Sequence, residues 1–252
     1  MDSKQIFSTQ VACIDYEQTL EWANDKACLA DSTYAVEAAN THVVTKAHHE
    51  SDFGEAMSKF DLIVPDGVPL LWALNKKLPA KKKLIDRVYG PELMLRALTS
   101  PLSHAKHFFL GGSQETLNIL QNKYSRSSKI VGNYSPPFEE WSAQEFETIS
   151  QKIKASGATF IWVSFGCPKQ EFWIAKFKEQ LPKGVYFGIG AAFDFLAKTK
   201  PQAPRALQKV GCEWLFRLIT EPRRLWRRYF IYNTLFIFYT CLLYTSPSPR
   251  DA

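Results

Sequence analysis

The sequence has few of the motifs that reveal a chemistry at a glance. Its five cysteines, Cys13, Cys28, Cys167, Cys212 and Cys241, are odd in number, scattered, and never spaced as CxxC. That pattern supports neither a disulfide framework nor a zinc site. No histidine pair stands at ligand spacing to a carboxylate, and no DxD motif is present to hold a divalent ion against a diphosphate. The stretch HFFLGGSQETL follows a strand-turn-helix pattern. It lacks a full GxGxxG and a Walker lysine, so by itself it is neither a dinucleotide fingerprint nor a P-loop. The opening residues, MDSKQIFSTQ, have no apolar core of signal-peptide type, and a reducing cytoplasm is the expected compartment. The aromatic, apolar run over residues 229–244 is 16 residues long and interrupted by Asn233, Thr234 and Thr240. A spanning helix needs about 20 predominantly apolar residues, so this run suits the membrane interface better than a crossing.

What is present is a globular composition: 252 residues, 46% hydrophobic and 22% charged. That is enough chain for one large α/β domain, or for one domain with an appendage. The net charge of +6 is unevenly placed, with basic residues crowded over 76–87 and again over 217–228. Patches of this kind point to anionic partners such as phosphates, acidic lipids or nucleic acid.

Short apolar runs alternate with helical patterns. TYAVEAAN precedes a polar-apolar stretch over 41–60, and FDLIVPDG precedes VPLLWALNKKL. HFFLGG, KIVGNYSPP and TFIWVSFG each lead into a further helix, and VYFGIG ends the series. Nearly continuous apolar strands separated by helices predict a mostly parallel, Rossmann-like sheet with helices on both faces. Ser142 and Glu145 form a capping-box pattern, and Pro168 stands where a first helical residue is expected. We expect a Rossmann-like domain over 1–204, a C-terminal basic, aromatic, membrane-associating helical appendage over 205–244, and a disordered tail over 245–252.

Ligands bind beyond the carboxyl ends of the strands in open α/β sheets. The residues there are Asn40, Asp66 with Gly67, Gly111 with Gly112, Ser135-Pro136-Pro137, and the segments 166–170 and 188–194. Asp66 suits a general base whose carboxyl is pushed up by partial burial, but Pro-Asp-Gly is also an ordinary turn. Lys169 and Gln170 in a first helical turn suit a phosphate or a sugar hydroxyl, or simply cap the helix. Asp194 suits a ribose or sugar hydroxyl, or caps the next segment. His48 and His49 read as a solvated helix face, His104 and His107 flank a strand start, and Glu139 and Glu140 read as a solvated loop.

Seven blocks in order are DLIVPDGVPLLWAL, RVYGPELM, FFLGGSQETL, YSPPFEE, IWVSFGCPKQEFWIA, GIGAAFDFLA and QAPRALQKVGCEWLFRLITEPRRLWRRY. Together they resemble the WecG/TagA/CpsF glycosyltransferases, family 26, over roughly residues 34–229. The resemblance implies a Rossmann-like transferase distinct from the two commonest glycosyltransferase folds. It implies transfer of a sugar from a UDP-sugar to a polyprenyl-diphosphate-linked sugar at the cytoplasmic face of the membrane. N-acetylmannosamine, its uronic acid or glucose would be the donor sugar. The products would enter teichoic acid, enterobacterial common antigen or exopolysaccharide. The family's base matches Asp66 and its active-site arginine matches Arg87. Its substrate-binding positions match Asn40, Gln170, Arg217, Arg224 and Arg227. Many members carry a threonine where this chain has Ala38, which bears on the choice of donor.

An inverting transfer needs a base on the acceptor hydroxyl and positive charge on the departing diphosphate. Asp66 suits the first task; Arg87, Lys169, helix N-termini and the C-terminal arginines suit the second without a metal or another cofactor. The expected partners are the UDP-sugar, the lipid-linked acceptor, the inner membrane surface and a second copy of the chain as a homo-oligomer. Three rival readings stand beside this one. A nucleic-acid-binding tail lacks Asn and Gln beside its arginines, and a dehydrogenase lacks the glycine fingerprint. An inactive scaffold within a glycan-assembly complex rests on Ala38.

Overall fold

The computed structural model describes residues 1–29, 32–100, 104–137 and 142–245. A small antiparallel hairpin, β1 (Ser3–Ile6) and β2 (Thr9–Ala12), opens the chain. The helix α1 (Tyr16–Leu29) leads into the main sheet. Six strands build that sheet: β3 (Thr33–Ala39), β4 (Leu62–Pro65), β5 (Lys106–Gly111), β6 (Lys129–Tyr134), β7 (Phe160–Ser164) and β8 (Gly184–Gly188). They lie in the order β4-β3-β8-β7-β5-β6, and every pairing is parallel.

Strand side chains alternate between two cores, as a two-residue period requires. Ile161 and Val163 face a core closed by α2 (Thr41–His49), α3 (Ser51–Ser58), α4 (Val68–Lys76), α7 (Ala143–Ser156) and α8 (Lys169–Phe177). Phe160 and Trp162 face the other, closed by α1, α5 (Gly90–Thr99), α6 (Gln114–Tyr124) and α9 (Ala192–Ala197). The expected parallel sheet with helices on both faces is therefore present, and each of the six predicted strands forms.

Local details differ from the expectations by small steps. Ser142 caps α7 through its hydroxyl, which accepts from Glu145 N at 3.2 Å, but Glu145 turns away and accepts from Tyr134 Oη at 2.8 Å. Pro168 is the cap of α8 rather than its first residue, and its peptide bond with Cys167 is cis. His107 is buried in β5 and accepts from Trp162 Nε1 at 3.0 Å, while His48 and His49 are exposed and meet Tyr239. Glu139, Glu140 and the tail beyond 245 lie outside the described residues.

After Pro204 the chain is helical: α10 (Arg205–Lys209), α11 (Glu213–Thr220) and α12 (Pro222–Thr245). The last of these lies along α2 instead of standing off the domain. Leu225 and Phe236 are buried, Tyr232 bonds Lys46 and Glu50 and meets His42 edge-on, and Asn233 meets Thr41. Among the described residues no helix is long and apolar enough to cross a membrane. Removing a buried phenylalanine ring opens a cavity that costs about 3–5 kcal/mol. Phe236→Ala is therefore expected to lower stability by about that amount in urea unfolding. An unchanged midpoint would show that α12 does not belong to the folded unit.

Candidate active site

The carboxyl ends of β3, β4, β7 and β8 converge on one place. Asn40 directly follows β3, and its Oδ1 accepts from His42 N at 3.0 Å and Val43 N at 3.3 Å, which caps α2. Asp66 directly follows β4. Its N–H donates to Ala39 O at 2.8 Å, so strand pairing carries through to the site. Its Oδ1 accepts from Gly90 N at 2.9 Å, at the start of α5. Gly67 caps α4 beside Asn40, where a Cβ would lie 3.4 Å from the Asn40 Cβ. Across the sheet, β5 ends at Gly111, with φ 100°, followed by Gly112 with φ 72°. A side chain at Gly111 would lie 2.7 Å from Ser164 O, so only glycine lets these two strand ends approach.

Two cavities open from this edge, and Asp66 and Asn40 line both. The first, about 360 Å³, is the more polar: Ala38, Gly112, Gln170 and Asp194 line it, and Arg217, Arg224 and Arg228 reach it from α11 and α12. The Nε atoms of Arg217 and Arg228 are buried without a hydrogen-bond partner. Arg217 lies over the Phe195 ring at 5.5 Å, Arg224 pairs with Glu221 at 2.6 Å, and Asp194 pairs with Lys200 at 2.6 Å. The second cavity, about 380 Å³, is more apolar and runs between Val68 and Pro69 on one side and Trp214, Tyr229, Phe236 and Ile237 on the other.

Arg87 is buried, lines the apolar cavity together with Asp66 but not the polar one, and is paired with Glu213 of α11 at 2.8 Å. Tyr89 Oη donates to the other oxygen of Glu213 at 2.9 Å, and its ring lies 4.2 Å beneath the guanidinium. Lys169 is exposed, and neither it nor Arg227 lines either cavity; Arg227 lies over Trp226 at 5.8 Å. Gln170 is buried, and its Oε1 accepts from Gly190 N at 3.1 Å. Sequence reasoning passed over Arg228, Glu213, Glu37 and Glu171. Arg228 was findable, since residues four apart share a helix face and Arg224 and Arg228 have that spacing. Among the described residues, no group of three or more His, Cys, Asp or Glu side chains is arranged to hold a metal ion.

A family model described as "Glycosyl transferase WecG/TagA/CpsF family" matches residues 4–249. The chain belongs to that family. It is a glycosyltransferase family involved in surface-polysaccharide synthesis.

The electrostatics around Asp66 suit a base for such a transfer. Burial pushes its carboxyl up, Arg87 pulls it back, Glu213 pushes it up again, and the outcome is about 6. Below that value the group is protonated and cannot accept a proton. Turnover is therefore expected to fall about tenfold per pH unit below about 6 and to level off above it. Asp66→Asn is expected to lower turnover by roughly 10²–10⁴ at neutral pH. A raised carboxyl binds its proton more tightly in the folded chain, so ionising Asp66 destabilises the fold as pH rises through its folded value. The Asn variant should then melt no lower than the parent at pH 7.5. Near-parental turnover in the variant would reduce Asp66 to a turn residue.

Proposed function

We propose that this chain transfers a hexose, N-acetylmannosamine or a related sugar, from a UDP-sugar to a polyprenyl-diphosphate-linked sugar in bacterial surface-polysaccharide synthesis. The reading is carried by one observation: a half-buried aspartate stands where a polar cavity with unpartnered guanidinium nitrogens meets an apolar cavity. The polar cavity suits a nucleoside diphosphate sugar, and the apolar one suits the sugar end and first isoprene units of a lipid-linked acceptor. In this reading Asp66 takes the proton of the acceptor hydroxyl. The hydroxyl oxygen bonds to the anomeric carbon while the bond to the departing UDP breaks on the opposite face, so configuration inverts. The charge left on the diphosphate falls to Arg217, Arg224 and Arg228. No step requires a metal. Arg87 acts at one remove, by holding α11 in place and keeping Asp66 ionisable near neutral pH. Ala38 lines the polar cavity, so a methyl there bears on the donor rather than on the base.

The outward face of α12 supports placement on the inner face of the cell membrane. Trp226, Phe230 and Phe238 are exposed beside Arg223 and Arg227. Aromatic and arginine side chains together settle at headgroup depth, and each arginine near an anionic leaflet contributes on the order of 1 kcal/mol.

A UDP-release assay with a panel of UDP-sugars and short polyprenyl-diphosphate-GlcNAc or -glucose acceptors tests the chemistry. At least one pairing is expected to release UDP, to do so in EDTA, and to lose about tenfold or more in kcat/KM in Arg228→Ala. Release in none of the pairings, or an absolute need for Mg²⁺ or Mn²⁺, would contradict the reading. Membrane placement has a separate test: the double variant Trp226→Ser, Phe230→Ser should keep the parental melting temperature but sediment poorly with anionic liposomes. Undiminished sedimentation would point to another surface.

A further inference from the structure

The basic stretch over 76–87 takes no part in the two cavities beyond Arg87. Its five lysines, Lys76, Lys77, Lys81, Lys82 and Lys83, are all exposed, and Asp86 is the single acid among these residues. Lys77 and Lys82 reach the N-terminal hairpin, at Gln5 O (2.8 Å) and Asp2 (2.9 Å), while Lys81 and Lys83 have no partner among the described residues. Beside these charges stand Ile85, 102% exposed, and Trp72, 54% exposed, one helical turn before Lys76 on α4. The outward position of Ile85 is built in. Asn75 of α4 donates through Nδ2 to Leu84 O at 2.9 Å and accepts at Oδ1 from Leu84 N at 2.8 Å, and the Leu84 side chain packs against the core. On the other side Val88 N donates to Pro65 O at 2.7 Å. Held at both ends, the segment keeps Ile85 turned to solvent. Trp72 and Ile85 line one groove with Arg205 and Lys209, and Val210, 57% exposed, follows Lys209. Of the acids on that groove, Glu92 is paired with Arg96 at 3.0 Å and Asp86 accepts from Arg87 N at 2.8 Å.

This surface adjoins the apolar cavity. Val68 lines the cavity from α4, and Trp72 stands one turn further along the same helix. Gly211 lines it from the turn before α11, and a Cβ there would lie 3.3 Å from Val68 and 3.7 Å from the Trp72 ring. Trp214, 39% exposed, lines the opposite wall. Trp72 and Trp214 thus flank the turn at Gly211, one tryptophan on each wall. In the reading above, the cavity takes the first isoprene units of the acceptor. The rest of the prenyl chain stays in the bilayer, so the lipid surface has to reach both walls, α4 as well as α11 and α12.

A single exposed apolar side chain is ordinary, but apolar side chains set among lysines fit an anionic lipid surface: the tryptophan and isoleucine enter the headgroup layer while the lysines meet its charge. Two other partners fit less well. A second copy in a symmetric contact would set the lysine cluster against itself. Nucleic-acid readout would use polar side chains beside the cations instead of isoleucine. Resting on the membrane placement proposed above, we propose that Trp72, Ile85 and the lysines of 76–83 form a second contact with the anionic bilayer. This contact lies on the α4 side of the apolar cavity, so that the chain straddles the place where the acceptor's prenyl chain enters.

Sedimentation of the full chain with phosphatidylcholine vesicles, with and without phosphatidylglycerol, tests this. Each lysine near an anionic leaflet contributes about fivefold in partitioning. The double variant Lys81→Ser, Lys83→Ser should therefore bind phosphatidylglycerol-containing vesicles on the order of tenfold or more weakly, with binding to phosphatidylcholine alone unchanged. Trp72→Ser, Ile85→Ser should weaken binding to both kinds of vesicle. Both double variants should keep the parental melting temperature and parental UDP release with a short, water-soluble acceptor, and should lose release with a long-chain acceptor held in anionic vesicles. If Trp72→Ser, Ile85→Ser melted early, the exposed lysine pair would decide alone. Parental binding to anionic vesicles in the lysine variant would overturn the proposal and leave the α12 contact standing. A changed oligomeric state with intact vesicle binding would also overturn it, and would assign the surface to a second copy of the chain. A parent that does not bind anionic vesicles would remove the membrane placement and this contact with it, while UDP release with the short acceptor would still stand for the transfer chemistry.

Discussion

The ion pair between Arg87 and Glu213 is the constraint on which the site depends. It joins the segment before α5 to the first turn of α11, and both side chains are nearly removed from water. Desolvating two charges is costly, and a buried pair is retained without loss only when its remaining hydrogen-bonding capacity is used. Here Tyr89 Oη fills the second oxygen of Glu213 and presents its ring to the guanidinium. Once α11 is held in this way, Arg217 follows one helical turn after Glu213, on the same face, and lines both cavities. The pair also sets the base: Arg87 is the strongest influence lowering the Asp66 carboxyl against the effect of burial. A residue that does not line the polar cavity thereby bears on both the position of Arg217 and the carboxyl of Asp66.

Apart from the Arg87–Glu213 and Lys200–Asp194 pairs, charge in the site is segregated by structural origin. The carboxylates Glu37, Asp66 and Glu171 come from the strand ends and from the helix that follows β7, whereas Arg217, Arg224 and Arg228 come from the helices after Pro204. Had each arginine been paired with one of these acids, neither group would be left for a substrate. Separation leaves guanidinium nitrogens unpartnered on one side and a raised aspartate on the other. That is the division a transfer from a diphosphate needs: positive charge where the leaving group departs and a base where the acceptor arrives.

Much of the frame was legible in the sequence because a parallel sheet leaves a plain trace. Each of β3 to β8 is a short apolar run ending in a turn, and its last residues fall at the ligand edge by topology alone. Asn40, Asp66, Gly112 and Gln170 were selected on that ground. The N-terminal hairpin was not, because its strands are four residues each and its turn uses Phe7 with φ 53° where glycine or asparagine would have announced it. Glu213 left no trace, since an acid opening a basic, aromatic helix reads as a favourable dipole partner rather than as half of a buried pair. Glu37 did leave one, a carboxylate inside an apolar strand, but the Glu171 carboxylate that it meets lies 134 positions further along the chain. Arg227 and Arg228 differ by a single residue; the spacing to Arg224 favours Arg228, and the helical phase set by Leu225, Tyr232 and Phe236 turns it inward.

That phase has a consequence for how the outer surface and the site communicate. Leu225, Tyr229, Tyr232, Phe236 and Tyr239 recur every three or four residues and form the stripe of α12 that faces the domain. Arg228 stands on the same side, at the polar cavity, while Trp226, Arg227, Phe230 and Phe238 take the opposite side. A helix transmits a tilt or a shift along its length because its backbone hydrogen bonds leave little room for independent movement of the two faces. A displacement of the outer aromatics would therefore also shift Arg228, the arginine of α12 that borders the polar cavity. One helix thus carries both the outer aromatic face and an arginine of the polar cavity, so the two cannot move independently.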